Sequence, residues 1–156
     1  MKFAEFKPEM QIECGSHLVT EDEILSFAKK YDPQLFHVDV AQAQAGRWNG
    51  LIASGWMTCC IAMDLVVRRV LEGSESFGSP GVEELRWENP VRPGDTLRVS
   101  VTVLESRVSS SGRNGIVRWR WDVHTQRSQR VLTLIATSLF DVAGAARSGG
   151  RQELLS

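Results

Sequence analysis

A carboxylate and an imidazole stand five positions apart, Asp32 and His37, in the segment YDPQLFHVDVAQAQAGRWNGLIASGWMT that runs from Tyr31 to Thr58. Pro33 disfavours helical geometry in the residue before it, so Asp32 sits at a forced change of chain direction. A free imidazole titrates near about 6.5, which suits proton transfer at neutral pH, and a neighbouring carboxylate can orient the ring or share the work. Gln34 supplies an amide able to hold a water, while Leu35 and Phe36 are apolar residues that would dry the site. By spacing alone the pair also fits a carboxylate that turns the backbone beside an ordinary histidine.

Ala53-Ser54-Gly55 opens the longest helical pattern in the chain. A glycine at a helix start lets a ligand oxygen approach a backbone N–H, and the helix dipole adds positive potential there. Such a donor polarises a carbonyl and stabilises an enolate forming on it. Plain capping by Ser54 and Gly55 accounts for the same residues. Ser54 is not placed as a nucleophile, because Ile52 stands where a G-x-S-x-G elbow needs glycine. His17 and His124 have no acidic or cysteine neighbour at ligand spacing and read as surface residues. Trp119 and Trp121 lie at strand spacing, which favours core or dimer contact over base stacking. Alternation puts Arg86, Arg118 and Arg120 on a solvated sheet face, with Arg92 grouped beside them.

The elements that must hold these groups follow from patterning. Gln11–Gly15 reads as a short strand, and Thr20-Glu21-Asp22-Glu23 is a capping box opening a helix that stops near Tyr31. Asp39 caps a short helix from Val40 to Arg47. Ser54 caps a helix from Gly55 to Leu71, apolar on most sides until Arg68 and Arg69, with Gly73 ending it. Beyond residue 74 the period becomes two. Gly78–Gly81 reads as a turn, and Pro90–Asp95 as another. The runs 97–103 and 117–123 alternate, and Val131–Val142 is apolar enough for a central strand buried on both faces. The fold class is α+β. A three- or four-stranded antiparallel sheet curved around the 55–71 helix gives a single hot-dog domain over 1–143, followed by a flexible polar tail over 144–156. Open sheet edges call for a second copy, so a homodimer or higher homo-oligomer is expected.

The whole chain narrows the function classes. Its 156 residues suit one domain, and a net charge of −1 offers no field for a nucleic acid. Three cysteines, two of them adjacent, show no metal-ligand spacing, so no metal is expected. Neither a signal peptide nor a run of membrane-spanning length is visible, and a reduced, cytoplasmic protein without a membrane partner is the expectation.

The segment Asp32-Pro33-Gln34-Leu35-Phe36-His37-Val38-Asp39 resembles the MaoC-like dehydratases, the hot-dog family that includes the (R)-specific enoyl-CoA hydratases. That family carries an aspartate, usually an asparagine and a proline, and a histidine five residues after the aspartate. Gln34 stands for the usual asparagine, Leu35 for the proline, and Ser54 where many hydratases carry histidine. The run from Gly46 to Trp56, Glu84–Trp87 and Pro90–Leu97 resemble its later motifs in order. The resemblance implies interconversion of a trans-2-enoyl thioester and an (R)-3-hydroxyacyl thioester. Asp32 and His37 would bind and activate the water, and Gly55 N–H would hold the thioester oxygen. Gln34, Phe36, Ser54 and Trp56 are the candidates for substrate contact, and the apolar helix would receive the acyl chain. No cofactor is implied, because the substrate brings its own CoA or acyl carrier protein and the thioester is the electron sink. A hot-dog acyl-CoA thioesterase and a non-catalytic acyl-binding subunit are the alternatives.

Overall fold

A computed structural model describes residues 1–142 of the chain, and the tail expected over 144–156 lies outside the described residues. Strand β1 (Gln11–Leu18) leads into helix α1 (Glu21–Tyr31). The capping box forms as expected: Thr20 Oγ1 accepts the Glu23 N–H at 3.2 Å and the Glu23 carboxylate accepts the Thr20 N–H at 2.9 Å. The helix ends at Tyr31, ahead of Asp32-Pro33. A single turn, α2 (Leu35–Val38), follows and carries His37. Sequence patterning did not anticipate it, because the proline restricts Asp32 behind it and leaves the residues after it free to turn. Helix α3 (Val40–Ala45) is capped by Asp39, whose carboxylate accepts the Gln42 N–H at 2.9 Å, and it stops at Gly46, short of Arg47.

Helix α4 (Gly55–Val66) continues through a π-helical turn at Val67–Leu71. Strands β2 (Ser76–Trp87), β3 (Thr96–Val108), β4 (Asn114–His124) and β5 (Arg130–Asp141) join β1 in one antiparallel sheet of order β1-β3-β4-β5-β2. The sheet has five strands, not three or four. The fifth is β1, whose alternation is broken by a bulge between Glu13 and Gly15, with Gly15 at φ 104°. The turn expected at Gly78–Gly81 is instead part of β2, where those residues form register shifts against β5. Pro80 is tolerated because β2 is an edge strand and needs no donor on its outer side.

Val99, Val101, Val103, Val117, Trp119 and Val123 are buried with Met57, Ala62 and Val66 of α4 and Val70 of its π-helical turn in one core, which is the hot-dog arrangement. Trp119 is fully buried, edge-on to Phe6 at 5.7 Å, so the Trp119/Trp121 pair is core. On the other face Arg118 and Arg120 pair with Glu83 and Asp122, at 2.7 and 2.8 Å. One expectation fails on α4. The helix is not enclosed on most sides: Trp56, Cys60 and Met63 form an exposed apolar flank that the sheet does not close over. Among the described residues no helix is long and apolar enough to cross a membrane.

The Pro90–Asp95 turn fixes where α4 begins. Its buried Asp95 carboxylate accepts the Arg92 N–H and an Arg127 guanidinium N–H, both at 2.9 Å, which ties the turn to the β4–β5 hairpin. The Val91 carbonyl of that turn accepts the Ala53 N–H at 2.8 Å.

Candidate active site

Leu51, Ile52, Ala53 and Ser54 run as a buried segment without regular secondary structure between α2 and the Pro90–Asp95 turn. Ile52 N–H donates to the Phe36 carbonyl at 3.2 Å. The Ile52 carbonyl is 2.7 Å from His37 Nδ1. A carbonyl only accepts, so Nδ1 carries a proton, and in the neutral ring Nε2 holds the lone pair. That Nε2 lies 3.3 Å from Asp32 Oδ2, and the His37 side chain is almost wholly buried. The two candidates separated by a proline are therefore brought together.

Asp32 has every polar contact a fixed carboxylate needs. Gln34 Nε2 donates to Oδ1 at 2.8 Å, and Ser54 Oγ donates to Oδ2 at 2.7 Å. Burial pushes the Asp32 carboxyl up, but the Gln34 and Ser54 donors, joined by the charge of His37 whenever its ring is protonated, outweigh it and hold it below the usual carboxylate range. Ser54 also accepts the Trp56 N–H at 3.3 Å, so one hydroxyl joins the dyad to the first turn of α4. Gln34 thus grips the carboxylate directly.

Gly55 is the first residue of α4, where first-turn amides have no acceptor within the helix. A Cβ built on Gly55 would lie 2.5 Å from the Trp87 indole, so the ring rests directly on this glycine. Asp32, Gln34, His37 and Gly55 line one cleft of about 530 Å³, a size suited to a small-molecule substrate. Three tryptophans wall it, Trp48, Trp56 and Trp87, with Glu88 and Asn89 at the end of β2. Of the expected substrate contacts, Gln34 and Trp56 line this cleft. Ser54 is fully buried behind it, and Phe36 packs on the far side of His37, ring centroids 4.3 Å apart. Patterning missed Trp48, Trp87, Glu88 and Asn89. The signal was present in the Glu84–Trp87 motif, whose place beside Gly55 only the fold discloses. His17 also departs from expectation, since its Nε2 lies 2.9 Å from Glu23 of the capping box.

Removing the Ser54 hydroxyl is expected to leave Asp32 Oδ2 short of a donor, at a cost of about 1–3 kcal/mol. Because the folded Asp32 is held below its ordinary range, this stabilisation is present above that range and is lost as pH falls through the folded value. The melting-temperature deficit of Ser54→Ala should be full at neutral pH and shrink below about pH 4. A deficit independent of pH would detach the hydroxyl from the carboxylate's charge.

The model of the MaoC like domain matches residues 4–124. The uncharacterized protein YdeM of Bacillus subtilis (strain 168) is 35% identical over 107 residues, covering 69% of this chain and 76% of its own. Mesaconyl-CoA hydratase of Cereibacter sphaeroides is 40% identical over 55 residues, a stretch covering 35% of this chain and 16% of that protein. Among solved structures, the MaoC-like dehydratase from Rhodospirillum rubrum superposes with a TM-score of 0.82 at 34% identity, covering 88% of this chain and 94% of that one.

Proposed function

The chain belongs to the MaoC-like domain family, a family of hydratases and dehydratases, and from that premise we propose that it interconverts a trans-2-enoyl-CoA and an (R)-3-hydroxyacyl-CoA. One observation carries the reading. His37 is fixed in the tautomer that leaves Nε2 as a base, beside an ionised Asp32, in the cleft that also receives the Gly55 end of α4.

In the hydration direction a water between Asp32 and His37 loses a proton to Nε2 as its oxygen bonds to the β-carbon. The imidazolium that forms faces Asp32 Oδ2, so the carboxylate stabilises the charge created in the step. Electrons from the C=C bond move onto the thioester oxygen, where the Gly55 N–H and the helix dipole meet the developing enolate. The dyad then returns a proton to the α-carbon, and every atom of the water is accounted for. Gln34 and Ser54 hold the Asp32 oxygens in place. Asp32, His37 and Gly55 are the catalytic residues in this reading, and Gln34 and Ser54 position Asp32.

The assay is spectroscopic. Adding the protein to a conjugated enoyl-CoA should bleach the enoyl absorbance without releasing free thiol, and the 3-hydroxyacyl-CoA should regenerate it. Thiol release would assign the protein as a thioesterase, and binding without turnover would make it an acyl-binding subunit. The outer edge of β2, with Phe77 and Val82 exposed, is where a second copy would add its own sheet in the homodimer carried by this proposal.

A further inference from the structure

A second cavity lies along the exposed flank of α4, facing β4, β5 and β2. It measures about 330 Å³ and is walled by Cys59, Met63, Val82, Leu134 and Ala136. Trp56 is common to its lining and to that of the catalytic cleft. The two spaces differ sharply in chemistry. The cleft sets Asp32, Gln34, His37, Glu88 and Asn89 among apolar side chains such as Ile52 and Val91, whereas the chamber is walled almost wholly by carbon and sulfur.

Trp56 is suited to stand between them. Its indole is 57% exposed and meets Trp87 edge-on, ring centroids 5.1 Å apart. Trp87 in turn rests on Gly55. A thioester whose oxygen is at Gly55 has its carbonyl in the polar space. The hydrocarbon beyond its β-carbon gains nothing from Asp32 or Glu88; Ile52, Val91 and Val131 give it short apolar patches in the cleft, and a continuous apolar surface begins past the Trp56 ring.

We propose that the Trp56 indole is the partition that sets acyl length: in place it confines the substrate to a short acyl group in the cleft, and without it the chain extends into the apolar chamber. This inference rests on the hydratase reading above and names the substrate class for it, short-chain enoyl thioesters. Each methylene that gains a pocket is worth about tenfold or more in discrimination, so several added at once give a large signal.

The test uses crotonyl- and octenoyl-CoA for turnover, and butyryl- and octanoyl-CoA for binding by calorimetry. The unmodified protein should favour the short member in both. Trp56→Ala should raise the octenoyl-to-crotonyl ratio of kcat/KM, and the matching ratio of affinities, by about tenfold or more. Trp56→Phe should fall between them. Adding Met63→Trp to Trp56→Ala, at a chamber position 46% exposed and therefore tolerant of bulk, should fill the chamber and cancel the gain. An unchanged ratio in Trp56→Ala, or a gain that survives Met63→Trp, overturns the proposal. The saturated thioesters keep the two readings apart. A binding gain with no turnover of any enoyl thioester removes the hydratase reading and leaves the partition standing. Crotonyl turnover without the octanoyl binding gain does the reverse.

Discussion

His37→Gln is expected to lower kcat for enoyl-thioester hydration by about 10²–10⁴-fold while the protein still folds. The side chain is buried and its Nδ1–H is engaged by the Ile52 carbonyl, so an ordinary truncation would confuse lost chemistry with lost structure. Glutamine retains an N–H donor for that carbonyl but has no basic nitrogen at the Nε2 position. Asp32→Asn tests the other half of the dyad. Its amide can still accept from Gln34 or Ser54, but it bears no charge to face an imidazolium 3.3 Å away. The two losses should be far from additive, because in the proposed step both groups act on one water and one proton. Circular dichroism and thermal melting establish the fold, and single-turnover kinetics separate chemistry from binding. A His37→Gln protein turning over within threefold of the unmodified chain would remove the imidazole from the proposed step.

The local parts of this site were legible in the chain, and the contacts that make it a site were not. The Thr20/Glu23 box, the Asp39 cap and the Ser54 cap each depend on neighbours a few residues away, and each forms. The long apolar helix and the alternating runs likewise specify α4, β3 and β4. Errors came where one local signal had two meanings. Glycine and proline at 78–81 read as a turn, but an edge strand absorbs them as bulges. Gly15 interrupts the alternation of β1 and hides an eight-residue strand. Distant contacts leave no pattern to read. The Ser54–Asp32 bond spans 22 positions and the His37–Ile52 bond 15, and nothing in either tripeptide announces the other. Trp87 over Gly55 is the extreme case, because a glycine's lack of Cβ is explained only by the ring lying on it.

That ring makes Gly55→Ala the second substitution with a large expected effect. Alanine is favourable in a helix, and Gly55 does not adopt the left-handed backbone that would strain it, so the helix itself should tolerate the change. The space does not, since the new methyl would sit 2.5 Å from the Trp87 indole. Trp87 is half-exposed and can swing away, so the cost should fall on the cleft more than on stability. A methyl at the helix N-terminus also stands where, in the proposed hydration, the thioester oxygen would come to the Gly55 N–H. Loss of one such donor costs about 10²–10³-fold in kcat, and because the donor meets charge present only in the transition state, KM should change little. A second variant separates the two causes. In Gly55→Ala/Trp87→Ala the clash is gone, so recovered turnover would assign the loss to a displaced indole. Turnover that stays low would assign it to the methyl shielding the N–H. Gly55→Ala with near-normal kcat would place the carbonyl elsewhere in the cleft, and the enolate would then need another donor.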